Sequence, residues 1–597
     1  MQPESDLARP AEAPRPLAIL TIAALQGCAL YALHLSIDGK FWPATQVALL
    51  APLYLLVLLL PLTAQLLIRH LHDRTLWLSL AVMAAVLAGI GVFFGAGLVP
   101  GATLPAVEPD LVAANALPLL VLWLVSLAFL RARLETGSWR PPYPSLFAAA
   151  WRNKLTLFEA GVFVALFWGL LLLWAVLFNT LEIKLFRELF TAPLFIYPAT
   201  ALALGFALHL IGSIDRLVDV LLTQVLNLLK WLAPLAGLIV ALFAIALLPR
   251  LPDLFANAQR PLSAFALLWI VALTLLLLNA AYQDGRAERP WGSVLSTAMR
   301  IVPPLMLVIA LTALYAIWVR IDSVGFTVSR YWGLVTAGMA TAHALAYAWA
   351  ALRGGRWMQG ISRANPLLAA LLCATLLLSL SPVLSPHRLA AQSQGRIALT
   401  TQDLDQRNSA LFYLRFDAGE PGLEQLRALA SRSGSAEDIA LAATATEWLR
   451  RQNFWEMRDQ PPQYTPWREA LRVYPAGRTL PEELEGPLRA GVEDGALLRQ
   501  FAADANAVPA ALWVDLVGDD AAELLVLSDR TYLLLANRDG AWVEHSRGSM
   551  YSGPVSETER AAALAAGEFG AADEQVRDLR IGAEVLRLLP EKQPAKN

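Results

Sequence analysis

Long apolar runs broken by short charged connectors set the pattern over the first two-thirds of this 597-residue chain. The run Leu155–Phe178, LTLFEAGVFVALFWGLLLLWAVLF, holds one ionisable side chain, Glu159, and is approached through Arg152 and Lys154. As a helix rising ~1.5 Å per residue, it is long enough to cross a ~30 Å hydrocarbon core. Similar runs lie near residues 17–35, 45–68, 76–98, 112–130, 193–213, 231–249, 262–282, 301–319, 331–352 and 367–384, so the pattern predicts about eleven transmembrane helices. Two connectors are amphipathic. Residues 214–230 place Asp215, Asp219, Thr223, Asn227 and Lys230 along one helical face, and 181–190 do the same on a shorter scale. Both read as helices lying at the membrane surface or packed under the bundle, with a gating role as the alternative.

Past residue 385 the pattern changes. Helical periodicity over 421–432 and 436–452 gives way to four short β-rich runs, AALWVDL, ELLVLS, TYLLLA and AWVEHS, separated by the turn-forming segments VGDDAA, DR and NRDG. The expected fold is an α-helical polytopic membrane bundle followed by a soluble α+β C-terminal domain containing a β-meander. The boundaries are a disordered N-terminal tail at 1–16, the bundle at 17–384 and the soluble domain at 385–597.

Composition supports this division: 57% of residues are hydrophobic and 16% charged, against roughly 25% charged in soluble proteins. Residues 1–385 carry 24 Lys+Arg and 17 Asp+Glu, whereas 386–597 carry 23 and 32. An acidic C-terminal part argues against a nucleic-acid partner. Alternate connectors hold 17 and 7 Lys+Arg. The positive-inside bias therefore predicts a cytoplasmic N-terminus and, after an odd number of spans, a periplasmic C-terminal domain. Cys28 and Cys373 both lie in apolar runs, which excludes a disulfide framework or a cysteine-based zinc site.

The candidate chemistry is sparse. Glu159 is the one acid inside a span, and His209 and His343 are intramembrane polar candidates suited to hydrogen bonding between helices. His70, His72 and Asp73 stand together in the basic connector RHLHDR, which needs no metal to explain it. In the C-terminal domain, Asp515, Asp519 and Glu523 resemble the calcium loop of integrin-type FG-GAP repeats, so Ca²⁺ is the one candidate cofactor. Val517 and Asp520 depart from that pattern. Gly89, Gly91, Gly95 and Gly97 provide the small-residue spacing of close helix packing, with self-association into a homo-oligomer as the alternative use. No His-Glu-x-x-His, Gly-x-Ser-x-Gly, Walker A or Cys-x-x-Cys motif is present.

Four segments, FEAGVFVALFWGLLLLWAVLF (158–178), RIDSVGFTVSRYWGLV (320–335), SPHRLAAQSQGRI (385–397) and YLRFDAGEPGLEQL (413–426), resemble a family of uncharacterised bacterial inner-membrane proteins, domain of unknown function 4153. The resemblance implies a multi-pass envelope protein of the bacterial inner membrane and supplies no site residues. The expectation is a non-enzymatic protein anchored in the lipid bilayer, with its periplasmic domain free for sensing or for an envelope protein partner. A transporter or lipid-handling permease is the alternative, suggested by proline-broken helices such as that holding Pro303 and Pro304.

Overall fold

A computed structural model describes residues 16–97, 109–213, 215–252, 263–285, 289–353 and 356–451. In the C-terminal part it describes 471–475, 477–478, 480–484, 488, 510–516, 521–527, 531–538, 540–549, 563–564, 566–567, 579–581 and 584–586. The expected disordered tail, Asp519 and the connector 98–108 lie outside the described residues. The chain divides into two compact units, Met1–Arg450 and Arg451–Asn597.

In the first unit the helices are α1 (Pro16–Asp38), α2 (Val47–Leu66), α3 (Arg74–Ala96), α4 (Pro109–Thr136), α5 (Tyr143–Asn179), α6 (Leu185–Thr191), α7 (Pro193–Ser213), α8 (Asp215–Leu247) and α9 (Ala264–Tyr282). They continue as α10 (Ser293–Ala298), α11 (Val302–Val324), α12 (Val328–Leu352), α13 (Ile361–Ser379), α14 (Pro386–Thr400), α15 (Leu404–Phe416), α16 (Glu420–Ala430) and α17 (Ala436–Arg450). Among the described residues, ten helical segments are long and apolar enough to cross a membrane, with α10 and α11 counted as one, Ser293–Val324. In α5 only 6% of the most apolar window is buried inside the protein. Side chains such as Leu166 and Leu170 therefore need a lipid solvent. The predicted span at 331–352 falls outside the ten. Its helix, α12, carries Ser329, Arg330, Thr336, Thr341 and His343 among small residues.

Contacts between helices sort into two ends. At one end Arg69 donates to the Gly212 carbonyl, Arg131 donates to the Leu66 carbonyl at 2.9 Å, and Arg152 pairs with Asp219. Here Trp357 donates to the Ser296 carbonyl at 2.8 Å, which puts the exit of α12 beside the start of α11. This is the basic end. At the other, Tyr331 and Ser379 share a 2.7 Å hydrogen bond, joining the start of α12 to the finish of α13. α12 thus runs the full depth traversed by α11.

Helices α14 to α17 close over this second, capped end. They share a core of Leu411, Leu414, Leu426, Leu441 and Trp448, among others. Gln394 donates to the Val324 and Phe326 carbonyls, and the Tyr413 hydroxyl accepts from the Val328 N–H at 2.9 Å. The helices of 386–450 therefore group with the membrane-spanning helices, not with the sheet.

Two connectors differ from their sequence reading. The basic stretch 143–154 is the opening of α5, which runs 37 residues without a break. The amphipathic stretch 215–230 likewise continues into the next span as one 33-residue helix, α8. The two openings pair with each other through Arg152 and Asp219, so the amphipathic stretch packs against a neighbouring helix. The short connector forms α6, which packs Phe186 and Phe190 against Trp174 and Phe178, an aromatic cluster of the kind suited to a headgroup region. Gly91 meets α2 so closely that an added Cβ would fall 2.4 Å from Pro52 Cα, whereas Gly89 faces open space.

The second unit holds a five-stranded mixed sheet of β1 (Arg472–Tyr474), β2 (Ala510–Val514), β3 (Glu523–Leu527), β4 (Thr531–Arg538) and β5 (Ala541–Ser549), in that order. Strands β2 to β5 form the predicted meander, and β1 adds in parallel at the edge. Alternation sends Leu524, Val526, Leu533 and Leu535 to one buried face, with Leu484 and Leu488 in the same core. A separate two-stranded ladder pairs 579–581 with 584–586.

Candidate functional site

The capped end encloses a cavity of about 320 Å³. Its walls come from α2, α3 and α4 and from the point where α13 hands over to α14, and the first turn of α16 closes it. Ser385 caps α14, its hydroxyl accepting from the Arg388 N–H, and Pro386 occupies the first turn, where a missing N–H costs nothing. That start places His387 and Arg388 at the cavity. The start of α16 is fixed differently: the Glu420 N–H donates to the Gly97 carbonyl at 3.0 Å. Gly419 makes this possible, with φ +65° and a position where a Cβ would fall 2.9 Å from that same oxygen.

The polar groups around the cavity are unevenly satisfied. His387 Nε2 lies 3.1 Å from the Asn115 amide nitrogen, so the ring accepts there and carries its proton on Nδ1. Burial pushes the imidazole down to about 4, keeping it neutral at physiological pH. The Arg388 guanidinium sits 5.4 Å over the Phe93 ring. Glu420 turns one oxygen to Arg427 at 2.6 Å, while its other oxygen, Oε2, is buried without a hydrogen-bond partner. A buried carboxylate oxygen in that state is a strong acceptor awaiting a donor.

Below this cavity the same three helices, α3, α4 and α13, frame an apolar crevice of about 560 Å³. Leu119 belongs to the walls of both. Ile90 and Leu380 above stand one turn from Leu87 and Leu377 below. From Gly97 down to Leu78 this is about 28 Å of helix at ~1.5 Å per residue, close to a full hydrocarbon core. A chamber with charged residues in its wall and a greasy slot thus lie on either side of the buried cluster Leu87, Ile90, Leu119 and Leu380.

The residues singled out from sequence lie elsewhere. Glu159, on α5, has a buried Oε1 with no hydrogen-bond partner, and His209, on α7, is in the same state at Nδ1. His343 is on α12, where its Nδ1 lies 2.8 Å from the Met339 carbonyl within the helix. No hydrogen bond or ion pair joins any two of these three. Asp73 accepts from the Thr75 N–H at 2.7 Å and caps α3. In the sheet unit Glu523 is buried and its Oε2 accepts from the Leu516 N–H at 2.7 Å, tying the β2–β3 connection. Asp515 opens that connection; among the described residues no group of three His, Cys, Asp or Glu is arranged to hold a metal.

Sequence reasoning passed over a second polar constellation, at the basic end. The Tyr143 hydroxyl donates to Asn279 (3.5 Å), Asn279 to Tyr347 (3.4 Å), Tyr347 to Asn365 (2.9 Å) and Asn365 back to Tyr143 (3.1 Å). The ring closes with each side chain donating once and accepting once, and it joins α5, α9, α12 and α13. At the capped end, Asn115 stands inside the span predicted at 112–130, where one polar residue carries no signal of a site. The available signals were the Ser385-Pro386 and Glu420-Pro421 helix starts just past the last apolar run. Three of the four segments that carry the family resemblance, 320–335, 385–397 and 413–426, meet at this end. No protein-family model matches the chain, and no curated protein and no solved structure matches it.

Proposed function

We propose that this multi-pass membrane protein binds a lipid-like amphiphile, with its polar head in the capped-end cavity and its hydrocarbon in the crevice below. The observation that carries this reading is the shared wall at Leu119, with a chamber lined by Arg388, His387 and Glu420 on one side and an apolar slot between α3, α4 and α13 on the other. Pockets of this size suit small ligands, and the pairing of a polar head site with an apolar trough matches an amphiphile rather than an ion. This favours lipid handling over the sensing role and over ion-coupled transport.

The same reading takes α12 as an eleventh crossing, because it traverses the depth of α11. Arg69, Arg131 and Arg152 then mark the cytoplasmic side of a bacterial inner membrane. The capped end and the chain beyond Arg450 lie on the periplasmic side.

The test is lipid retention by the full-length protein purified in mild detergent. Leu119→Trp, which enlarges the side chain common to both walls, is expected to lower copurifying phospholipid to less than about half of wild type in protein that still purifies folded. Equal retention by variant and wild type would overturn the proposal.

A further inference from the structure

We infer that the head group taken by the capped-end cavity is zwitterionic, a phosphate joined to a primary ammonium, as in phosphatidylethanolamine. This rests on the amphiphile reading above and deepens it.

The cavity carries both signs of charge on different elements. Arg388, in the first turn of the 15-residue α14, has its guanidinium held over Phe93 and makes no ion pair with any described residue. The N-terminus of α14 adds a partial positive charge beside it. A planar guanidinium at a helix N-terminus is a phosphate site. Glu420 and Glu424 stand on α16, four residues apart and so on one face. Arg427 occupies Oε1 of Glu420 only, leaving buried Oε2 without a partner, and no ion pair among the described residues engages Glu424. Opposite charges that line one small chamber without closing on each other complement a ligand carrying both.

The three common head groups differ in what they bring to this chamber. An ethanolamine ammonium supplies N–H donors and a positive charge to Glu420 Oε2. A choline head supplies the charge with no donor, so that oxygen stays unsatisfied. A glycerol head supplies hydroxyl donors but no positive charge, so it brings no charge complement to Glu420 and Glu424. His387, neutral and bonded to Asn115, adds no competing charge.

The experiment offers full-length protein in detergent an equimolar mixture of phosphatidylethanolamine, phosphatidylglycerol and phosphatidylcholine with identical acyl chains. Bound lipid is counted by native mass spectrometry. Wild type is expected to retain the ethanolamine lipid about tenfold over either competitor, the effect of one charge-assisted hydrogen bond. Glu420→Gln with Glu424→Gln brings that ratio toward one while total bound lipid persists. Because Glu420→Gln also disturbs the contact with Arg427, Glu424→Gln alone is measured at its exposed position and is expected to cut the preference at least about twofold. Arg388→Gln lowers retention of all three. Equal retention of the three lipids by wild type overturns the zwitterion inference and leaves the amphiphile reading standing. Retention of no lipid at all overturns both.

Discussion

Gly419 and His387 are the single residues on which the capped end turns. Gly419 combines φ +65° with ψ −152° and stands against the Gly97 carbonyl, a conformation essentially confined to glycine. Gly419→Ala is expected to cost about 1–3 kcal/mol and to free α16 from α3, read as faster protease cleavage within 400–450 at unchanged membrane insertion. His387 responds to protons instead. Its imidazole, held down to about 4 by burial, takes up a proton more readily in the unfolded chain, whose value is ~6.5. Its contribution to stability is therefore complete above about pH 6.5 and is lost as pH falls toward 4, amounting to roughly 2–3 kcal/mol for a shift of this size. The denaturation temperature of wild type should fall between pH 7 and pH 5 more steeply than that of His387→Gln, which keeps an acceptor for Asn115 without titrating. Matching slopes would remove His387 from this role.

Among the elements, the ring of Tyr143, Asn279, Tyr347 and Asn365 binds four helices at the basic end. Tyr347 is 1% exposed, so Tyr347→Phe strands the Asn365 carbonyl oxygen and an Asn279 N–H, at a cost of about 1–3 kcal/mol. A lowered denaturation temperature in detergent checks this, and the double variant with Asn365→Leu is expected to recover part of the loss by removing the stranded acceptor. Helix identity was largely legible in the sequence because lipid imposes one rule on every span: about twenty apolar residues with no unmet backbone groups. The meander was legible for a similar reason, since alternation at Leu524, Val526, Leu533 and Leu535 leaves one register that buries a face. Helix length was less so. The openings of α5 and α8 are polar enough to read as connectors, whereas in the structure both are helical and pair with each other through Arg152 and Asp219. The chamber was not legible at all, because His387 and Asn115 lie 272 positions apart and neither is unusual in its own neighbourhood.

For the whole molecule, the proposed topology predicts that a periplasm-dependent reporter enzyme fused after residue 597 is active, and that one placed in the connector 137–142, beside the arginines of the basic end, is silent. Activity in the reverse pattern would invert every assignment of side. One helix has a consequence at this scale as well. α5 is 37 residues long, its foot tied into the Tyr143 ring and its upper half fastened to α7 by Trp168 and Thr200 at 3.1 Å. Held at both levels, it resists tilting or sliding to suit a thicker or thinner lipid sheet. The surrounding lipids must stretch or compress to meet it, at fractions of a kcal/mol per Å of mismatch. The protein is thereby a rigid gauge, and its residence should follow the acyl-chain length of the membranes available to it.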